Sequence, residues 1–172
     1  MTHWLIGAAI FVGLALLLLL MRLAWGARGR RQADLPLPET APGDLGPARV
    51  TSDGFYVATT RAGDPLDRIV VGGLGFRGRV IASVHPEGVR LEIAGESAKL
   101  IRASSLRDVG RATWAIDRVV EPGGLVLVAW TLGGVDVDTY LRITDDPAAV
   151  VDAIRPLVPA PAGSPRTTGE DS

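Results

Sequence analysis

The chain has 172 residues and a net charge of −1, with 18 basic against 19 acidic side chains. From Val50 to Val158 there are twelve basic and fourteen acidic residues, not the basic excess of a nucleic-acid binder, so no nucleic-acid partner is expected. Cysteine is absent, which excludes disulfides, thiolate metal sites and cysteine nucleophiles.

Trp4 to Met21 carries no charge, and a second tryptophan follows at Trp25. A helix of the 22 residues Trp4–Trp25 rises about 33 Å, enough to cross a hydrocarbon core of roughly 30 Å. Trp4 and Trp25 then fall at the two interfaces, where an indole buries its ring and keeps its N–H wet. Met1-Thr2-His3 offers no basic leader, and Leu23-Ala24-Trp25-Gly26 offers no signal-peptidase site. The pattern therefore predicts an uncleaved transmembrane helix over residues 1–25, with the bilayer as a partner. Arg22, Arg28, Arg30 and Arg31 crowd its C-terminal flank. Basic flanks stay in the cytoplasm, so the expected protein is single-pass in the cell membrane, N-terminus outside and the rest cytoplasmic. Ala9 and Gly13 lie four apart, a spacing that lets two helices approach and provides for a weak homodimer.

Residues 26–49 hold Pro36, Pro38, Pro42 and Pro47 and show no apolar period, the composition of an extended linker. Residues 159–172 have the same character and read as a disordered tail.

Between them, residues 50–158 read as one domain of short strands closed by a helix. Strands are expected over 54–60, 67–71, 77–84, 88–94, 98–102 and 114–120. His85-Pro86-Glu87-Gly88 is a turn sequence between the third and fourth. A tight loop there puts Val80, Ala82 and Val84 on one face with Val89, Leu91 and Ile93. The strongest hairpin is 125–132, Gly133-Gly134, 135–143, because a glycine pair supplies the positive φ of a two-residue turn. It sets Val126, Val128, Trp130 and Leu132 beside Val135, Val137, Thr139 and Leu141 as a core face. Asp146-Pro147 reads as N-cap and first helical residue, with Val150, Val151, Ile154 and Leu157 at helical spacing.

This order is that of a mainly-β PH-like barrel of about seven antiparallel strands capped by one C-terminal helix. Tyr56-Val57-Ala58-Thr59-Thr60, Leu66-Asp67-Arg68, Gly73-Leu74-Gly75-Phe76-Arg77, Leu125-Val126-Leu127-Val128-Ala129-Trp130 and Asp138-Thr139-Tyr140-Leu141-Arg142 carry a further resemblance. In these blocks the chain resembles a small family of actinobacterial single-span membrane proteins with a cytoplasmic PH-like domain. Tyr140 departs from the glycine expected in the last block. The resemblance implies a fold and a location, and no activity.

Gly73-Leu74-Gly75-Phe76-Arg77-Gly78 matches a dinucleotide fingerprint in letters, but that motif needs a helix after it, and a strand pattern follows. The glycines read instead as a bend. Asp136 and Asp138 share a strand face with too few converging ligands for a metal, and His85 in its turn reads as a surface histidine. No nucleophile–base pair and no cofactor site emerge, so a non-enzymatic module is expected, with a protein partner or a scaffolding role. Leu125, Leu127 and Tyr140 form the expected partner patch on the outer face. The alternative is an anionic lipid-headgroup sensor in which Arg77, Arg79 and Arg90 contact phosphate.

Overall fold

The computed structural model describes residues 2–32, 35–112, 114–115, 118–119 and 124–160. The chain divides into two compact units, Met1–Pro36 and Leu37–Ser172.

The first unit is helix α1 (Thr2–Arg31), which runs six residues past the expected span and into the expected linker. Among the described residues no helix is long and apolar enough to cross a membrane. This overturns the expected transmembrane helix and, with it, the single-pass cell-membrane localisation. The side chains of Trp4, Ala9, Trp25, Arg28, Arg30 and Arg31 lie outside the described residues, while Arg22 is exposed. A Cβ added at Gly13 meets nothing within 4 Å.

The second unit is built on an eight-stranded antiparallel sheet. Its strands are β1 (Val50–Arg61), β2 (Asp64–Arg68), β3 (Gly78–His85), β4 (Gly88–Ile93), β5 (Lys99–Arg102), β6 (Leu106–Ala112), β9 (Leu125–Leu132) and β10 (Val135–Ile143). The order is β5-β4-β3-β1-β10-β9-β6, with β2 also paired to β1. A separate pair, β7 (Trp114–Ala115) with β8 (Arg118–Val119), is what the described residues show of the expected strand over 114–120.

The β9–β10 register is the expected one, with Leu132↔Val135, Trp130↔Val137, Val128↔Thr139 and Val126↔Leu141 facing each other. The turn glycines Gly133 and Gly134 have φ of 55° and 90°. Val80↔Ile93, Ala82↔Leu91 and Val84↔Val89 likewise pair as expected. Strand β2 begins three residues earlier than read from the sequence. Strand β6 was not foreseen, because Asp108 and Gly110 interrupt its apolar pattern.

Strand β1 organises the domain. Val50–Tyr56 pairs with β3, whereas Gly54–Arg61 pairs with β10. Its register against β10 shifts between Tyr56 and Ala58. Val57 is thus a bulge residue, and a bulge bends its strand and increases the local twist. The Arg68 guanidinium on β2 donates Nη2–H to the Val57 carbonyl at 3.0 Å.

The expected linker is partly sheet. Ala41 N–H donates to Ala98 O at 2.8 Å, and Leu100 N–H donates to Glu39 O at 2.9 Å. Thr40 bridges Lys99, and the Glu39 carboxylate pairs with Arg102. Residues 39–41 therefore cover the outer edge of β5. Beyond residue 160 the expected tail lies outside the described residues.

The core is aliphatic, and helix α2 (Pro147–Ile154) lies on it with Val150, Val151 and Ile154 buried. Asp146 caps α2, its Oδ1 accepting the N–H groups of Ala148 and Ala149 at 2.9 and 3.1 Å. The helix packs on β1, β3, β6 and β9, strands from both arms of the bent sheet, as expected of a capping helix.

One polar chain crosses this core. Trp130 Nε1–H donates to Thr139 Oγ1 at 2.9 Å, Thr139 Oγ1 meets Thr59 Oγ1 at 2.8 Å, and Thr59 Oγ1 meets the Tyr56 hydroxyl at 2.9 Å. The Tyr56 hydroxyl also meets the Leu74 carbonyl at 2.9 Å. A carbonyl only accepts, so the phenol proton goes to Leu74 and every hydroxyl in the chain donates once in the same direction.

Candidate functional site

Above the core, the outward positions of β10, β1, β3 and β4 form two rows. Phe55 of β1 stands between Arg142 of β10 and Arg79 of β3. Two positions along the strands, Ile81 of β3 stands between Asp53 of β1 and Glu92 of β4. Strand geometry separates the rows by about 7 Å. Phe55 is 43% exposed and Ile81 41% exposed, unlike the inward neighbours Tyr56 and Val80. The rows thus alternate an apolar centre with flanking charge: arginines in one, carboxylates in the other.

A groove of about 810 Å³ opens on this face, lined by Asp53, Phe55, Arg79, Ile81, Glu92 and Glu96 among others. Thr144 holds its rim, donating its N–H and its hydroxyl to the Asp53 carbonyl at 3.1 and 2.9 Å. Among the described residues, Asp53, Arg79, Glu96 and Arg142 enter no ion pair, while Glu92 Oε1 lies 3.1 Å from Arg90 Nε. Apolar anchors ringed by uncommitted charges suit docking.

The three arginines of the headgroup reading do not converge. Arg90 faces Ser83, four positions from Arg79 along β3 and so about 13 Å away, and it is engaged with Glu92. Arg77 is exposed and precedes β3. Arg79 stands in a groove that also holds Asp53, Glu92 and Glu96, a surround that opposes a phosphate.

The expected apolar patch is covered. Leu125 is 1% and Tyr140 7% exposed, and Leu127, paired with Tyr140, is half-buried. Sequence reasoning placed this patch on the outward side of the hairpin and could not see what lies over it.

Asp136 and Asp138 do share a face. Asp136 accepts from the Thr131 hydroxyl at 2.9 Å and lies 3.3 Å from Arg107 Nη2. Burial pushes the Asp138 carboxyl above its usual value, and Asp136 adds to the rise, while Arg107 and a Gly63 N–H hydrogen bond oppose it. Burial also raises the Tyr140 hydroxyl, the Asp138 charge adding to it and a Thr60 hydrogen bond opposing it. No group of three or more metal-ligating side chains occurs among the described residues. His85 is buried rather than at the surface; its Nε2 meets Ser83 Oγ at 3.1 Å and its Nδ1 makes no hydrogen bond. The Gly73–Gly78 segment leads into β3, as expected, with Gly72 and Gly73 at φ of 64° and 79° and Leu74 buried.

A family model described as Bacterial PH domain-like matches residues 33–156. No curated protein matches the chain.

Proposed function

Because the chain belongs to the Bacterial PH domain-like family, we propose that it is a non-enzymatic protein-interaction module whose docking surface is the outer face of β10, β1, β3 and β4. The observation that carries this reading is the groove with Phe55 and Ile81 half-exposed at its centre and charges of both signs around them. Phe55 and Ile81 lie diagonal to one another across β1 and β3, so the groove offers a small apolar contact between its charges. The mixed charge of the groove favours a protein over an anionic headgroup.

A displayed library of random peptides, panned against the full chain, tests the reading. Retained peptides are expected to lose about tenfold or more in affinity for the Phe55→Ser and Ile81→Ser variants. The reading is overturned if those variants retain the same peptides, or if the chain selects none and instead binds vesicles containing phosphatidylglycerol in a manner abolished by Arg79→Glu.

A further inference from the structure

The two rows on the outer face are complementary to each other. One carries Arg142, Phe55 and Arg79, and the other carries Asp53, Ile81 and Glu92. Consider a two-fold axis lying in the plane of the sheet, across the strands and midway between the rows. It turns the arginine row of one copy onto the carboxylate row of another. In strand order β10-β1-β3-β4, Arg79 and Ile81 both belong to β3 and so fall opposite one another. Each Arg79 then lies over the second copy's Ile81, between that copy's Asp53 and Glu92. The arginine stem covers the isoleucine while the guanidinium lies between two carboxylates. An isologous interface requires such a surface, in which each contact occurs twice with the roles exchanged.

We infer that a second copy of this chain docks on this face, through reciprocal contacts of Arg79 with Ile81, Asp53 and Glu92. The inference rests on the proposed reading of the face as a docking surface and names its occupant. Charge complementarity selects a second copy: the same six positions supply both halves of the match, and three of the four charged ones, Asp53, Arg79 and Arg142, have no ion pair among the described residues. Two short rows bury less than the roughly 800 Å² per partner of a standard interface. The dimer is therefore weak, and it dissociates on dilution and in salt.

The chain has no cysteine, so introduced thiols report the contact without background. Ile81→Cys and Arg79→Cys are made separately in the full chain and oxidised alone and as an equal mixture. The mixture is expected to give the 79–81 linked dimer in about tenfold excess over either chain's own dimer, and the yield drops in 1 M salt, where the Debye length is about 3 Å. Own dimers that match or exceed the mixed one overturn the two-fold docking. In a second arm, cross-linking through a zero-length carboxyl–amine reagent is read after Arg79→Lys, which supplies the amine. The Arg79→Lys chain links to Asp53 or Glu92 of a second copy, and Asp53→Arg with Glu92→Arg in the same chain abolishes the link. Persistence of the link in that triple variant also overturns the inference. If both arms fail while Phe55→Ser still releases the selected peptides, the face is a docking surface for a different protein, and only self-association falls.

Discussion

The Tyr56 hydroxyl donates to the Leu74 carbonyl at 2.9 Å, and this bond ties the centre of β1 to the β2–β3 loop from inside the core. It terminates a relay that starts at Trp130 N–H, a group that only donates, and ends at a carbonyl, a group that only accepts. A relay closed at both ends by groups of fixed polarity has one arrangement of its hydroxyl protons. It therefore specifies one packing of β9, β10, β1 and the loop.

Removing its last member takes the side-chain donor from the Leu74 carbonyl and the acceptor from the Thr59 hydroxyl, which keeps only its bond to Thr139. Tyr56→Phe is expected to lose about 1–3 kcal/mol of stability, measured as a lower urea midpoint with an unchanged slope. The alkaline limb gives a second readout. Burial pushes the Tyr56 hydroxyl from 10.0 to about 12, against the lowering by its Thr59 bond and by Arg68. The folded state therefore keeps a proton that the unfolded chain releases, and stability falls as pH rises from 10 through about 12. Absorbance of the tyrosinate and loss of the β-sheet circular dichroism signal are expected to rise together in that window. Tyrosinate appearing at pH 10 with the fold intact would contradict the burial argument.

Asp138 supplies the acid counterpart. Its carboxyl is raised above 3.8 in the folded state, chiefly by burial, so the folded chain binds that proton more tightly than the unfolded one. The charged form opposes folding, and this contribution weakens stability as pH rises from 3.8 through the raised value. Asp138→Asn keeps an acceptor for the Gly63 N–H and removes the charge. Its melting temperature is expected to exceed that of the parent at pH 7 by a degree or two and to match it near pH 3. A variant less stable than the parent at both values would show that the Arg107 attraction outweighs burial.

Gly88 begins β4 with φ of 148°, and a Cβ there collides with the Ile101 carbonyl on β5. Both strain and collision fall on backbone, which has nowhere to move. Gly88→Ala is expected to cost about 2–4 kcal/mol. Gly134→Ala, whose added Cβ meets nothing within 4 Å at φ of 90°, isolates the conformational part and is expected to cost about 1 kcal/mol. Equal losses in the two, read from denaturation midpoints, would remove the close approach of β4 and β5 as the cause.

What could be read from the sequence was local. The Gly133-Gly134 turn fixes the register of its own hairpin, and Asp146-Pro147 starts a helix by chemistry contained in two residues. Alternation along 80–84 and 89–93 was enough to find the shared face. What escaped is set by partners distant in sequence. Strand β6 has only Leu106 and Val109 buried, with a register shift between Leu106 and Asp108, so it shows no alternation. The Val57 bulge is visible only against β10. Of the proposed docking face, Arg79 was named as a candidate contact, but Asp53, Phe55 and Ile81 were not. Their adjacency follows from the order β10-β1-β3-β4, which no single stretch encodes. The transmembrane reading took an apolar run for a complete span.

The hydrogen bonds of Glu39 and Ala41 along β5 reach further than the stability of one strand. They make the amino-terminal boundary of the folding unit lie before Glu39, eleven residues ahead of the first long strand at Val50. A fragment cut at Val50 would present the outward amides and carbonyls of β5 to solvent as a template for other chains. Such a fragment would be prone to grow by strand addition, and any stickiness it showed would belong to the cut and not to the protein.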